Sequence, residues 1–280
     1  MARASTIRLG KELCPGYDLR RLRGKGGFGS VWEAVHEDGR VVAVKFLPCC
    51  DSLTAAQEIR SIQIVRGLRH PNLMRIHQVW SHRGYVGITM ELADGSLQDL
   101  LDAYQEEYNT PLLPRDVCYY LSQVADALDY LNARQHLIDG KKVAIQHCDV
   151  KPTNLLLYGE RVKISDFGLA SVTSTPVRSH RRAGTFSYSA PEVFQGRLSD
   201  WSDQFALAVS YCQLRCGRMP FPEPPRTNLS SYIRPAPDLE MLSTTEEQQI
   251  IARALSPVPP DRWPTCRDLM DQLGRVVVAK

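Results

Sequence analysis

Residues that could hold a metal ion beside a hydroxyl lie close together in the stretch Gln146–Asn154. It contains Asp149 and Asn154, and Asp166 follows twelve residues after Asn154. Carboxylate and amide oxygens are ligands for Mg²⁺, and a carboxylate that binds no metal can accept a proton from a hydroxyl. This set is therefore suited to phosphoryl transfer, which needs positioning and cancellation of negative charge more than covalent chemistry.

The order of these residues resembles the catalytic loop of the eukaryotic-type (Hanks-type) serine/threonine protein kinases, and the loop favours a bacterial member. This chain carries Cys148 where the family usually has Arg. The resemblance implies that Asp149 is the catalytic base and that Lys151 contacts the transferring phosphate. It further implies that Asn154 and Asp166 hold Mg²⁺, with Mn²⁺ as a substitute ion.

The segment that ends in Ala190-Pro191-Glu192 is typical of the serine/threonine branch of this family. Gly184-Thr185 precedes it, and the resemblance implies that Thr185 supports the catalytic Asp. Tyrosine-specific relatives usually carry other residues here and at Lys151. The basic cluster at residues 178–182 suits a phosphate or acidic substrates, and a solvated loop is the alternative interpretation.

A glycine-rich segment, Gly24-Lys25-Gly26-Gly27-Phe28-Gly29, has the pattern G-x-G-x-x-G. Dinucleotide-binding turns share this pattern, but they continue into a helix. Here β-branched and aromatic residues follow from Ser30 to Val35, and a turn at residues 37–40 leads to a second strand. The pattern therefore favours a hairpin that covers phosphates, as in protein kinases.

Lys45 is the only Lys in an apolar run that is predicted to be the third strand, residues 41–47. Such a Lys can extend its ammonium group from a strand end into water, but the glycines upstream favour a phosphate-binding role. Glu58 is the only acidic residue between residues 52 and 90, so it is the expected partner of Lys45. The alternative is that Glu58 is a solvated residue of its predicted helix.

The resemblance also implies an adenine site near the predicted hinge. Met90 would lie behind the adenine, the backbone of Glu91 and Ala93 would bind its edge, and Leu156 would lie beneath it. The residues implied for ATP binding are Gly24, Lys25, Gly26, Gly27, Phe28, Gly29, Val31, Ala43, Lys45, Glu58, Met90, Glu91, Ala93 and Leu156.

The resemblance implies an α+β, two-lobed protein kinase fold, and 280 residues are enough for two packed lobes. The expected N-lobe, residues 17–92, has a five-stranded antiparallel sheet plus one helix over residues 53–68. The hinge is residues 91–95, and the mainly helical C-lobe is residues 96–277. The kinase domain would thus span 17–277 after an N-terminal arm over 1–16, with an insertion at 135–145 that has a hairpin tip at Asp139-Gly140.

Composition excludes several other classes of protein. A net charge of +3 is too small to favour nucleic acid as a partner, and no window is apolar enough to span a membrane. The first residues lack the apolar run of a signal peptide. Eight Cys without metal-ligand spacing predict reduced thiols and a cytoplasmic location.

The expected function is transfer of the ATP γ-phosphoryl group to Ser or Thr hydroxyls of proteins, and autophosphorylation in trans is compatible with it. A pseudokinase that serves as an ATP-binding scaffold is one alternative, but Lys45, Asp149, Asn154 and Asp166 are all present. A small-molecule phosphotransferase is another. The intact segment from Gly184 to Glu192 argues against it, because the resemblance implies that this segment binds peptide.

Overall fold

The described residues of this computed structural model form two compact units. The first unit takes its described residues from within Met1–Arg66 and Met74–Ala93, and the second from within Gly67–Leu73 and Asp94–Lys280. The structure describes residues 14, 16–26, 29–48, 62, 66–82, 84–138, 140–172, 186–225 and 227–277.

The first unit is built on a five-stranded antiparallel sheet. Its strands are β1 Tyr17–Gly26, β2 Gly29–His36, β3 Val41–Pro48, β4 Ile76–His82 and β5 Tyr85–Met90. They pair in the order β1-β2-β3-β5-β4, and every pair is antiparallel. The predicted sheet is thereby confirmed, whereas the predicted helix over residues 53–68 lies mostly outside the described residues, of which Ile62 and Arg66 are helical.

Alternate side chains of β3 form a large part of the core of this unit. Val42, Val44 and Phe46 point to the same face, as alternate residues of a strand must, and all three are buried. Cys14 packs in the same cluster and is almost completely buried. Cys14 falls within the predicted N-terminal arm, residues 1–16, but in the structure it is part of the core.

The second unit is mainly helical in its described part. Its helices are α1 Leu97–Tyr108, α2 Pro114–Asn132, α3 Pro191–Phe194, α4 Ser202–Cys216, α5 Thr245–Ala254 and α6 Cys266–Val277. Helix α1 begins with a capping box in which Ser96 and Asp99 each bind the backbone of the other. Helix α4 is buried along almost its whole length, which makes it the central helix of the unit.

Short strands connect these helices to the loops. They are β6 Gly95–Ser96, β7 His136–Ile138, β8 Lys141–Val143, β9 Ile145–Gln146, β10 Leu155–Tyr158, β11 Arg161–Ile164 and β12 Ser171–Val172. The strands pair as β11-β10-β6, β12-β9 and β7-β8. The predicted insertion is thus the β7-β8 hairpin, although Asp139 at its tip lies outside the described residues.

Residues 67–73 belong to the second unit, although they fall within the predicted N-lobe, residues 17–92. Leu73 forms a parallel β-bridge with Ile164, and the Ile164 amide donates to the Asn72 carbonyl over 2.9 Å. The Asn72 side chain donates to the carbonyl of Val162 and to Gln123. Backbone groups of β11 therefore determine where this segment packs.

Among the described residues, no helix is both long enough and apolar enough to cross a membrane.

Candidate active site

The loop that carries Asp149 is attached to the first turn of α4. The Asp203 carboxylate accepts the backbone N–H groups of His147, over 2.5 Å, and of Cys148, over 2.9 Å. Burial raises the pKa of Asp203, and the bonds from these two amides oppose that rise. Cys148 has a φ of +65°, so the loop turns sharply directly before Asp149. The buried Asp203 carboxylate therefore fixes the loop at His147 and at Cys148, whose backbone has a positive φ.

His147 joins this loop to the segment that carries Asp166. Its Nδ1 accepts the Asp149 amide over 3.3 Å, and its Nε2 lies 2.9 Å from the Ser165 carbonyl oxygen. Because Nδ1 accepts, the hydrogen is assigned to Nε2, which donates to Ser165. The ring also meets Phe167 edge to face, 4.8 Å between centroids. His147 is thus a fully buried connector.

The Asp149 carboxylate is only 3% exposed and is oriented by two neighbours. Lys151 Nζ donates to its two oxygens over 2.9 and 3.0 Å. Asn154 Nδ2 donates to Oδ2 over 2.9 Å and to the Asp149 carbonyl over 2.8 Å. The structure therefore brings together three of the residues that the sequence selects, with the carboxylate held in one orientation.

Asn154 and Asp166 are linked through Ser165. The Ser165 amide and hydroxyl both donate to the Asn154 carbonyl, over 2.9 and 3.0 Å. Asp166, the next residue, has a left-handed backbone with φ +59° and precedes a short 3₁₀ helix, Phe167–Leu169. Among the described residues, the Asn154 side chain makes its hydrogen bonds through Nδ2, which leaves its side-chain oxygen Oδ1 available to a cation. A carboxylate and an amide oxygen form a hard donor set that fits a divalent ion such as Mg²⁺.

Cys148 is a neutral thiol in this setting. Its Sγ donates to the Gln146 carbonyl over 3.5 Å. Burial, together with the negative charges of Asp203 and Asp149, raises its pKa well above the usual value. The position therefore has no positive charge that could bind a phosphate.

A turn at Phe186–Ser189 leads into α3, where Glu192 forms a buried ion pair. Arg262 Nη1 and Nη2 donate to Glu192 Oε1 and Oε2 over 2.9 and 2.8 Å. Burial alone would raise the pKa of Glu192, but the bonds and charge of Arg262 outweigh it and hold that pKa below its ordinary value. The pair attaches the start of α3 to the loop that carries Arg262.

In the first unit, Lys45 occupies a central place on β3. It pairs in register with Val31 of β2 and Ile88 of β5, and its side chain is half-buried. Two positions before it, Ala43 pairs with Met90, the last residue of β5. The strand register thus places Val31, Lys45, Ala43 and Met90 close together on one face of the sheet.

The described glycines of the glycine-rich segment lie at the β1-β2 connection. Gly24 pairs with Val31 and Gly26 with Gly29. Gly29 has φ +146°, and a Cβ atom there would stand 1.9 Å from the Phe46 carbonyl oxygen. Gly29 is therefore required by the close approach of β2 to β3, whatever the segment binds.

Four of the residues selected from the sequence lie outside the described part of the chain. They are Gly27, Phe28, Glu58 and Thr185. The Lys45–Glu58 pairing and the role of Thr185 therefore stay predictions. Glu91 and Ala93 are half-buried, and Leu156 lies on β10 opposite Ser96 and Lys163.

Sequence reasoning missed the supporting roles of Gln146 and Ser165. Gln146 Oε1 accepts the Asp203 amide over 3.3 Å, and its Nε2 donates to Asn132 over 3.0 Å. Gln146 thereby accepts a hydrogen bond from one of the backbone N–H groups in the first turn of α4, which have no acceptor within the helix. The sequence does not mark either residue. Gln146 binds a backbone amide and a side-chain amide distant in sequence, and Ser165 binds a backbone carbonyl, which every residue has.

Comparison with known families agrees with this arrangement. The model of the family described as Protein kinase domain matches residues 17–279. The chain belongs to the protein kinase domain family. The two-lobed fold of that family corresponds to the five-stranded antiparallel sheet of the first unit and the helices of the second.

Curated protein kinases resemble the chain along most of its length. CBL-interacting protein kinase 4 of Oryza sativa subsp. japonica is 32% identical over 268 residues, which cover 90% of this chain and 56% of the relative. Serine/threonine-protein kinase PknF of Mycobacterium tuberculosis is 29% identical over 276 residues, 92% of this chain and 56% of the relative. The Aurora kinase of Eremothecium gossypii is 30% identical over 259 residues, covering 89% and 66%. The chain thus spans little more than half the length of the first two.

Proposed function

We propose that this chain is a serine/threonine protein kinase that transfers the γ-phosphoryl group of ATP to Ser or Thr hydroxyls of proteins. The observation that carries the proposal is the Asp149 carboxylate, held by Lys151 and Asn154. Curated relatives named serine/threonine-protein kinase support the class of acceptor. The kinase domain would span residues 17–277, and a cytoplasmic location would give it access to ATP.

In this proposal Asp149 orients the substrate hydroxyl and accepts its proton as the oxygen attacks the γ-phosphorus. A new O–P bond forms, the bond to the leaving ADP oxygen breaks, and the proton goes to the carboxylate. Lys151 would neutralise charge on the transferring phosphate, and the contact of its ammonium group with Asp149 supports this role. Thr185 would support Asp149 from the predicted peptide segment.

Asn154 and Asp166 would hold Mg²⁺, or Mn²⁺ as a substitute, and the remaining ligands would be phosphate oxygens and water. The bound ion would cancel negative charge on the phosphates. In the first unit, Lys45 and the glycine-rich segment would bind phosphates, with Glu58 as the partner of Lys45. Met90, Glu91, Ala93 and Leu156 would contact the adenine.

Labelling with ATP tests the proposal. The purified chain is incubated with γ-labelled ATP, Mg²⁺ and a generic basic protein, and the products are separated by phosphoamino-acid analysis. We expect label on Ser and Thr that is absent for Asp149→Asn. Label mainly on Tyr would contradict the acceptor class, and no label in any protein, with ATP still bound, would favour the scaffold alternative. Mixing inactive Asp149→Asn with active parent tests autophosphorylation in trans.

A further inference from the structure

The turn Phe186–Ser189 forms a wall of a cavity beside Asp149. Tyr188 and Ser189 line this cavity together with Asp149 itself and its neighbour Val150. The turn is closed by its own backbone bond, from the Ser189 amide to the Phe186 carbonyl over 3.2 Å. Because the turn lies beside the loop that carries the proposed base, its position affects any protein chain that presents a hydroxyl to Asp149.

Both end carbonyls of this turn bind one buried arginine. Nη2 of Arg234 donates to the Phe186 carbonyl over 2.7 Å and to the Ser189 carbonyl over 2.9 Å. Arg234 is only 9% exposed and lies 45 residues after Ser189, in a loop between α4 and α5. A single guanidinium nitrogen therefore fixes the distance between the two ends of the turn.

Aromatic rings hold the Arg234 guanidinium in place. Its Cζ lies 4.5 Å from the Phe221 ring centroid, 5.1 Å from that of Phe194 and 5.6 Å from that of Phe205. Such contacts attract a cation electrostatically. Burial lowers the pKa of Arg234 to about 10, so the group stays charged at neutral pH. Its Nε and Nη1 are buried without a hydrogen-bond partner among the described residues.

The segment that follows the turn is fixed by a second arginine. Arg262, the partner of Glu192, lies 5.0 Å from the same Phe205 ring that Arg234 contacts. Tyr188 has a further anchor, since its hydroxyl donates to Gln213 Oε1 of α4. The turn and α3 are therefore attached to α4 and its surroundings at several separate points.

We propose that Arg234 is a positioning residue for the protein substrate: it binds the two ends of the turn Phe186–Ser189 and so fixes the wall of the cavity beside Asp149. This inference rests on the proposed kinase function. It assigns to Arg234 an effect on the affinity for peptide, with none on the affinity for ATP. A change that raises KM with kcat unchanged removes binding that the ground state and transition state share.

The test compares Arg234→Met and Arg234→Lys with the parent. Met keeps the apolar stem of the side chain as far as the position of Nε, but it donates no hydrogen bond. Lys keeps the charge, but its ammonium nitrogen stands where Arg has Cζ, one bond short of Nη2, and it is a compact, strongly hydrated charge. Arg218→Met is the matched control, because Arg218 is exposed and its ion pair within the described part of the chain is a long one, 3.5 Å to Asp238. Steady-state rates are measured against a Ser-containing peptide and against ATP separately, and thermal unfolding is followed for each protein.

For Arg234→Met and Arg234→Lys we expect the peptide KM to rise about fivefold or more, while kcat and the ATP KM stay within about twofold of the parent. Arg218→Met should match the parent in all three. An unchanged peptide KM in folded Arg234 variants would overturn the inference, as would a fall in kcat alone with a lower melting temperature. If Arg234→Met does not fold, Arg234→Lys decides. A parent that phosphorylates no peptide would instead refute the proposed function.

Discussion

Arg262 binds Glu192 through two parallel hydrogen bonds inside the second unit. The side chain of Arg262 is 0% exposed and that of Glu192 is 9% exposed. A buried pair of this kind adds little net stability compared with apolar residues, but removal of one partner is costly because the other charge stays buried. The pair therefore fixes the position of α3 against the Arg262 loop, and it links the stability of this unit to pH.

We expect Glu192→Gln to lower the free energy of unfolding by about 3 kcal/mol at pH 7, because Arg262 loses its charged partner. The folded-state pKa of Glu192 lies below its ordinary value of 4.5. The stability that the carboxylate contributes is thus complete above about pH 4.5 and is lost as pH falls through the folded-state pKa. The difference between parent and variant should be constant from pH 7 to 5.5 and shrink below pH 4.5.

Urea unfolding across this pH range measures the effect. Asp126→Asn is the control, since the Asp126–Arg267 pair is exposed and should contribute less than about 1 kcal/mol. A Glu192→Gln difference that stays constant down to pH 3 would show that the pair does not carry the pH dependence.

Neutralising Asp149 and neutralising Asp166 should have different effects on nucleotide affinity, although each should abolish phosphoryl transfer. Asp149→Asn is expected to abolish phosphoryl transfer with nucleotide affinity nearly unchanged, because Asp149 is proposed to contact only the hydroxyl. Asp166→Asn is expected to abolish transfer and to weaken the Mg²⁺-dependent part of nucleotide affinity. Nucleotide titrations with and without Mg²⁺ separate the two. Full turnover by Asp149→Asn would remove it from the role of base.

Gly29→Ala should destabilise the first unit, because the new Cβ would overlap the Phe46 carbonyl oxygen. A cost of about 2 kcal/mol or more is expected, since the backbone at Gly29 is also strained for any other residue. Gly24→Ala is the matched control: apart from its chain neighbours, no heavy atom of the described residues lies within 4 Å of the added Cβ, so a change within about 0.5 kcal/mol is expected. Thermal unfolding of both variants tests this, and equal stabilities would refute the steric argument.

Basal activity should not require phosphate on the segment before Thr185. In many relatives an Arg at the position of Cys148 pairs with such a phosphate, but here the residue is a neutral thiol. The candidate acceptors, which lie outside the described residues, are Thr173, Ser174, Thr175 and Ser179. Replacing all four with Ala should leave the rate close to that of the dephosphorylated parent.

A loss of more than about tenfold, roughly 1.4 kcal/mol in barrier, would contradict this prediction if phosphorylation of the parent at one of those residues raised its rate by as much. Such a result would mean that another cation, for example in the basic cluster at residues 178–182, binds the phosphate.

The sequence predicts the parts of the site whose chemistry is local. Asp149, Lys151 and Asn154 lie within six residues, so their order already implies that they meet, and the structure joins them by hydrogen bonds. The antiparallel sheet is equally predictable, because alternating apolar residues and turn residues mark its strands.

Contacts made to backbone atoms could not be predicted in the same way. The acceptors for Arg234 are the carbonyls of Phe186 and Ser189, and a carbonyl is present at every residue. The Pro-rich composition around Arg234 suggests only an exposed loop, whereas tertiary packing buries it. Residues 67–73 show the same limit, because their assignment to the second unit depends on β11, about 90 residues away.

The two hydrogen bonds from the loop before Asp149 to Asp203 also determine how strongly the loop amides are protected from hydrogen exchange. An amide hydrogen exchanges with solvent only after its hydrogen bond opens. The amides of His147 and Cys148 are bound by a side chain of α4, and α4 is buried along almost its whole length. Their exchange should therefore require opening of the central helix, so that these loop amides are protected about as long as the innermost helical amides of the unit.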